Sequence, residues 1–105
     1  MITSGEGKYK VFLEKHQLDD GLIYILGGGQ RSHIGGIVLC EPDKKPQILK
    51  LENHYDHIVL EPIAKEACKK YKIKTVAVGG IHVDNASKEE IDLLVNNCKN
   101  LIEKL

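Results

Sequence analysis

Apolar and polar positions along the chain alternate in two different periods, and the switch between them marks the elements. From Lys8 to Glu14 the period is two. Tyr9, Val11 and Leu13 fall on one face and Lys8, Lys10 and Glu14 on the other, with Phe12 breaking the pattern. This predicts a half-buried strand. Gly21–Leu26 predicts a second strand, with the apolar run Leu22-Ile23-Tyr24-Ile25-Leu26, and Ile34–Cys40 a third. Gln47–Glu52 alternates again, Leu49 and Leu51 sharing a face, and gives a fourth. His16–Asp20 and the two-proline stretch Glu41–Pro46 read as turns. Four strands joined by short links predict an antiparallel meander, the second and third strands being neighbours across a glycine-rich turn.

The period then becomes helical. Val59, Leu60, Ile63, Ala64, Ala67 and Tyr71 keep helical spacing after an opening at Asn53–His57. Pro62 lies within this run, so the helix either kinks there or begins its regular part near Glu61 with proline at the first position. Lys65, Lys69, Lys70 and Lys72 form its wet face. Ile73–Val78 is short, β-branched and apolar, which suits an inner strand. Ser87 and Glu90 make an S-x-x-E capping box, predicting a helix from Lys88 to Leu105. Its stripe of Ile91, Leu94, Val95, Cys98, Leu101, Ile102 and Leu105 is expected to face the core. The order β-β-β-β-α-β-α predicts a two-layer α+β domain over residues 1–105, a mostly antiparallel sheet with two helices packed on it and a loose leader at 1–7.

Charge and composition narrow the function. The 105 residues carry 15 basic and 15 acidic side chains, net zero, which argues against nucleic-acid binding by bulk electrostatics. Without tryptophan and with Phe12 the single phenylalanine, no aromatic platform for stacking bases is evident. No apolar run is long enough to cross a bilayer, and no secretory signal is apparent; a cytoplasmic protein is expected. Cys40, Cys68 and Cys98 are far apart and form no C-x-x-C, so they are expected as small buried thiols.

Candidate chemistry gathers at element ends. Gly27–Gly36 holds five glycines with Arg31 and His33 between them. It is either a loop whose backbone N–H groups cradle a phosphate or a hairpin turn needing positive φ. It is not a P-loop, since no G-K-S/T occurs and a strand follows. His33, His54, His57 and His82 all stand where an element begins or ends, and His16 is read as surface. The metal reading takes His82 and Asp84 with His33 or His54 as ligands. The other reading has histidines that hydrogen-bond and fix loops. Asp84 and Asn85 either cap the loop before the helix or contact a ligand. No serine or cysteine stands out as a nucleophile paired with a base, and no carboxylate pair announces acid–base chemistry.

Gly27-Gly28 followed by His33-Ile34-Gly35, His54 and Asp56 before a helix, and then Gly80-Ile81-His82-Val83-Asp84-Asn85-Ala86 resemble the LpdD-like family. The resemblance runs from about Gly21 to Leu105, and the G-I-H-x-D-N segment is its most specific piece. One departure is the run Gly29-Gln30-Arg31-Ser32, where the family has a shorter polar run ending in proline. The fold also resembles, more distantly, the small proteasome-assembly chaperones. The resemblance implies binding or delivery rather than catalysis. The cargo it implies is prenylated flavin mononucleotide (prenylated FMN), passed from a flavin prenyltransferase to a UbiD-class decarboxylase by a chaperone expected to be a homodimer. The residues it points to for the cofactor are Gly27, Gly28, Arg31, His33, Gly35, His54, Gly80, His82, Asp84 and Asn85. Two alternatives stand beside it: an assembly chaperone with no small ligand, and a small metal-dependent enzyme using the histidine-rich rim.

Overall fold

The expected strands and helices form, but they are threaded differently from a meander. The computed structural model describes residues 1–52 and 54–105. In chain order the elements are β1 (Ile2–Ser4), β2 (Val11–Gln17), β3 (Gly21–Gly28), β4 (Arg31–Cys40), β5 (Gln47–Lys50), α1 (His57–Tyr71), β6 (Lys74–His82) and α2 (Lys88–Glu103). They build a six-stranded, mostly antiparallel sheet in the order β1-β2-β3-β6-β4-β5. Both helices pack on one face of it, the α+β architecture the pattern predicts.

The meander expectation fails at one point. β3 and β4 are not neighbours; β6 lies between them, parallel to β3 and antiparallel to β4. The physical reason lies in β6 itself. Thr75–Val78 is apolar on both faces, and such a strand belongs in the middle of a sheet. The glycine-rich link therefore steps across the end of β6 instead of closing a hairpin. Gln30 N–H donates to the His82 carbonyl at 2.8 Å. Gly28 (φ 135°) and Gly29 (φ 73°) supply the positive φ that this step requires.

The leader is also tied down, contrary to expectation. β1 pairs antiparallel with β2, and a short 3-10 turn follows at Gly7–Tyr9 where the first strand was expected to begin. Asn97 of α2 donates to the Tyr9 carbonyl at 2.8 Å, and Lys104 to that of Thr3 at 2.9 Å. The helix opening expected at Asn53 lies outside the described residues; regular helix starts at His57, and Pro62 sits inside α1 rather than at its first position. The core lies between sheet and helices. Val11, Leu13, Tyr24, Leu26, Val38 and Ala77 meet Leu60, Ile63, Ala64 and Ala67 of α1 and Cys98 and Leu101 of α2, all essentially inaccessible. The three cysteines are free and buried, as expected. Desolvation pushes the Cys98 thiol up to about 12.

Candidate functional site

Both helices begin at the same end of the sheet, where β6 ends and β4 starts, and a cleft of about 760 Å³ opens there. One wall is Tyr55 with the start of α1 (Ile58, Val59). The other is α2 from Ile91 to Cys98 (Ile91, Leu94, Val95, Cys98). The rim and floor come from Arg31, Ser32, His33, His54, Asp56, Ile81, His82 and Val83. The N-terminal half of the α2 stripe thus faces the cleft, while its C-terminal half reaches the core. Tyr55, Ile58 and Ile91 are 69%, 58% and 49% exposed at the lip, an arrangement a folded chain does not need for its own packing.

Asp56 ties three elements together beneath this cleft. It precedes α1, and its main-chain carbonyl accepts from Leu60 N–H at 3.0 Å. Its side chain accepts Ile81 N–H at 3.0 Å through Oδ1 and the His33 ring at 3.0 Å through Oδ2. Two glycines make room for it. A Cβ on Gly35 would lie 2.0 Å from Asp56 Oδ2, and one on Gly80 would fall 2.5 Å from the His33 ring and 2.7 Å from Asp56 Cγ. These glycines serve the close approach of a carboxylate and an imidazole.

Three imidazoles converge on the rim. His33 stands 4.9 Å from His54 and 5.9 Å from His82, centroid to centroid. Each has one ring nitrogen committed to an oxygen that can only accept: His33 Nε2 to Asp56, His54 Nδ1 to the Glu52 carbonyl at 2.7 Å, and His82 Nε2 to Asp84 at 2.8 Å. Those nitrogens must carry the proton. The opposite nitrogens, His33 Nδ1, His54 Nε2 and His82 Nδ1, have no side-chain hydrogen bond among the described residues. Arg31 donates to Asp84 Oδ1 at 2.9 Å and stays 66% exposed. Among the described residues no group of three or more His, Cys, Asp or Glu side chains is arranged to hold a metal ion.

The ten residues singled out from the sequence therefore separate. Arg31, His33, His54 and His82 line the cleft. Gly35 and Gly80 lie under its floor. Asp84 holds His82 and Arg31 from outside, and Asn85 takes a left-handed turn (φ 50°) before α2. Gly27 and Gly28 are not part of the lining. Gly28 N–H donates to Ser32 Oγ at 3.0 Å and Gly29 N–H to the Lys10 carbonyl at 3.0 Å, so these donors are already used. The start of α2 carries its own capping box, Glu90 N–H to Ser87 Oγ at 3.1 Å and Ser87 N–H to Glu90 Oε1 at 3.0 Å. The Ser87 backbone bond, with the Tyr9 hydroxyl and the Lys8 ammonium, holds the Glu90 carboxyl down to about 2. Sequence reasoning did not rank Asp56 or the apolar walls as site residues. An aspartate directly before a helix reads as a cap, and a helical apolar stripe reads as core.

The chain is thus a two-layer α+β domain with an amphipathic cleft between its helix starts. The chain belongs to the family described as the prenylated flavin chaperone LpdD-like domain, which matches residues 5–105. No curated protein matches it. No helix among the described residues is long and apolar enough to cross a membrane.

Proposed function

We propose that this protein is a non-catalytic chaperone that binds prenylated FMN in the cleft between α1 and α2 and delivers it to a UbiD-class decarboxylase. The observation that carries the reading is the make-up of the cleft. Its volume falls within the roughly 300–1,000 Å³ of small-molecule sites. Its walls are aliphatic, with Tyr55 at the lip, and its polar groups are confined to one rim. The alkylated part of the tricyclic ring fits against Val59, Leu94 and Val95. The polar edge of the ring, which carries both donors and acceptors, fits the free nitrogens of His33, His54 and His82. The phosphate fits best at Arg31, an exposed cation on the rim of the cleft. The chaperone works as a homodimer in the cytoplasm, receiving cargo from the flavin prenyltransferase.

Native mass spectrometry of the protein from cells that also make the prenyltransferase tests the proposal. One retained mass of prenylated FMN per chain is expected, reduced at least tenfold in a His82→Ala, Arg31→Ala double variant. An apo protein under those conditions overturns the flavin reading and favours an assembly chaperone without ligand. A stoichiometric metal mass instead would point to the metal-dependent enzyme.

A further inference from the structure

A second cavity, of about 560 Å³, lies at the other end of the sheet from the cleft. It opens where β4 ends at Cys40 and beside the last turns of α1, and the link between β4 and β5 lines it too. Its buried part is apolar. Cys40 and Cys68 line it at 3% and 6% exposure. Burial pushes both thiols up, so they stay neutral and supply no charge. Around this part stand four lysines and two carboxylates. Lys44 is paired with Glu41 at 2.9 Å. Lys65, Lys69 and Lys72 make no ion pair among the described residues, and neither does Asp43. The lining is therefore left with more cations than anions.

Two features of the lysine row act against the fold's own stability. Lys65, Lys69 and Lys72 stand at i, i+4 and i+7, so they share one face of α1 and its cap, where neighbouring like charges repel. Lys72 also takes the left-handed conformation that closes α1, with φ 54° and ψ 42°, a position glycine fills without strain. The helix dipole favours cations in the last turn. It does not account for Lys65, well before that turn, or for a lysine at the left-handed cap. A backbone outlier of this kind points to function, and a bound anion relieves the repulsion.

We propose that this cavity binds an organic anion, its apolar body against Cys40, Cys68 and Pro46 and its carboxylate or phosphate at Lys65, Lys69 and Lys72. The volume lies within the roughly 300–1,000 Å³ of small-molecule sites. The site is separate from the cargo cleft and does not rest on the flavin reading.

Amide chemical shifts of the full, isotope-labelled chain test this in titrations with benzoate, phenyl phosphate and uncharged benzyl alcohol. The expected result is saturable shifts at Cys40–Lys45 and Lys65–Lys72 with at least one anion and none with the alcohol; the tighter anion identifies the acid group. Lys69→Gln should weaken binding by roughly fivefold, the upper worth of an exposed ion pair. Lys72→Gly should weaken it similarly while the melting temperature holds or rises, because the strain leaves with the side chain. A lysine that served only the fold would give the reverse, a lower melting temperature with unchanged affinity. Inorganic phosphate binding as tightly as phenyl phosphate overturns the apolar body of the ligand. Shifts from benzyl alcohol equal to those from the anions overturn its charge. Absent or non-saturating shifts at these residues, or unchanged affinity in both variants, overturn the site.

Discussion

Asp56 is the side chain on which the cleft depends most. Its two oxygens serve a backbone donor on β6 and an imidazole on β4, and its own carbonyl starts α1. Asp56→Ala strips Ile81 N–H of its acceptor in a part-buried position, and an unsatisfied buried donor costs about 1–3 kcal/mol. We expect that loss in urea denaturation, together with weaker flavin binding as His33 is released. Asp56→Asn retains an oxygen for one partner and should lose less than half as much. Tyr24 makes the opposite case. It is 1% exposed, and its hydroxyl has no hydrogen-bond partner among the described residues, while burial pushes its phenol up. Tyr24→Phe should therefore keep or raise stability, by up to about 1 kcal/mol in the same denaturation experiment, since it removes a desolvated group and leaves the ring packing intact. Much of the candidate cleft was legible at this level: Arg31, His33, His54 and His82 were named from the sequence and line the same cleft. Gly27 and Gly28 were not separable from Gly35 and Gly80 by reading alone. All four carry the same absence of a side chain, and only the neighbours decide whether that space admits a strand crossing or a carboxylate.

The start of α2 shows how an element is held from outside itself. Glu90 closes the capping box and also accepts from the Tyr9 hydroxyl at 2.7 Å, with the Lys8 ammonium at 3.2 Å. Its folded carboxyl lies at about 2 against an ordinary 4.5. The stabilisation from this depressed value is complete above pH 4.5 and is lost as the pH falls toward 2. The melting temperature should accordingly drop across that window. Glu90→Gln should flatten the drop, while lowering stability at neutral pH by weakening the contacts to Lys8, Tyr9 and Ser87. The box itself was readable as S-x-x-E. Its ties to Tyr9 were not, because they join residues at opposite ends of the chain. The misplaced meander has the same origin: local alternation defines strands, but their order depends on which run is apolar on both faces. Thr75–Val78 carried that signal, and it outweighs nearness in sequence. The α2 stripe was read correctly as apolar, yet periodicity cannot distinguish a stripe that packs on core from one that walls a cleft.

The two helices cover the sheet unequally, and that difference separates the work of the molecule's two ends. Toward the C-terminal part of each helix the apolar stripes are closed in the core, with Ala64, Ala67 and Leu101 fully buried. Toward the helix starts the same stripes part and expose Ile58 and Ile91 to solvent. The cleft end therefore has less packing to hold it, and elements with few buried apolar contacts open most readily. A ligand bridging the walls supplies those contacts. Hydrogen exchange should show the amides of Ile58–Val59 and Ile91–Val95 exchanging faster than those of β3 and β6 in the apo protein. Prenylated FMN should slow the helix starts selectively. At a free ligand concentration a hundredfold above Kd, binding adds about 2.7 kcal/mol. For a domain of this size each kcal/mol is worth roughly 4–8 °C, so the melting temperature should rise by more than about 10 °C. Unprenylated FMN lacks the added hydrocarbon that Val59, Leu94 and Val95 would bury, and at about 25 cal/mol per Å² of apolar surface it should produce a clearly smaller shift. Equal shifts from the two flavins would mean that the aliphatic walls do not read the prenyl group and that the polar rim alone holds the cargo.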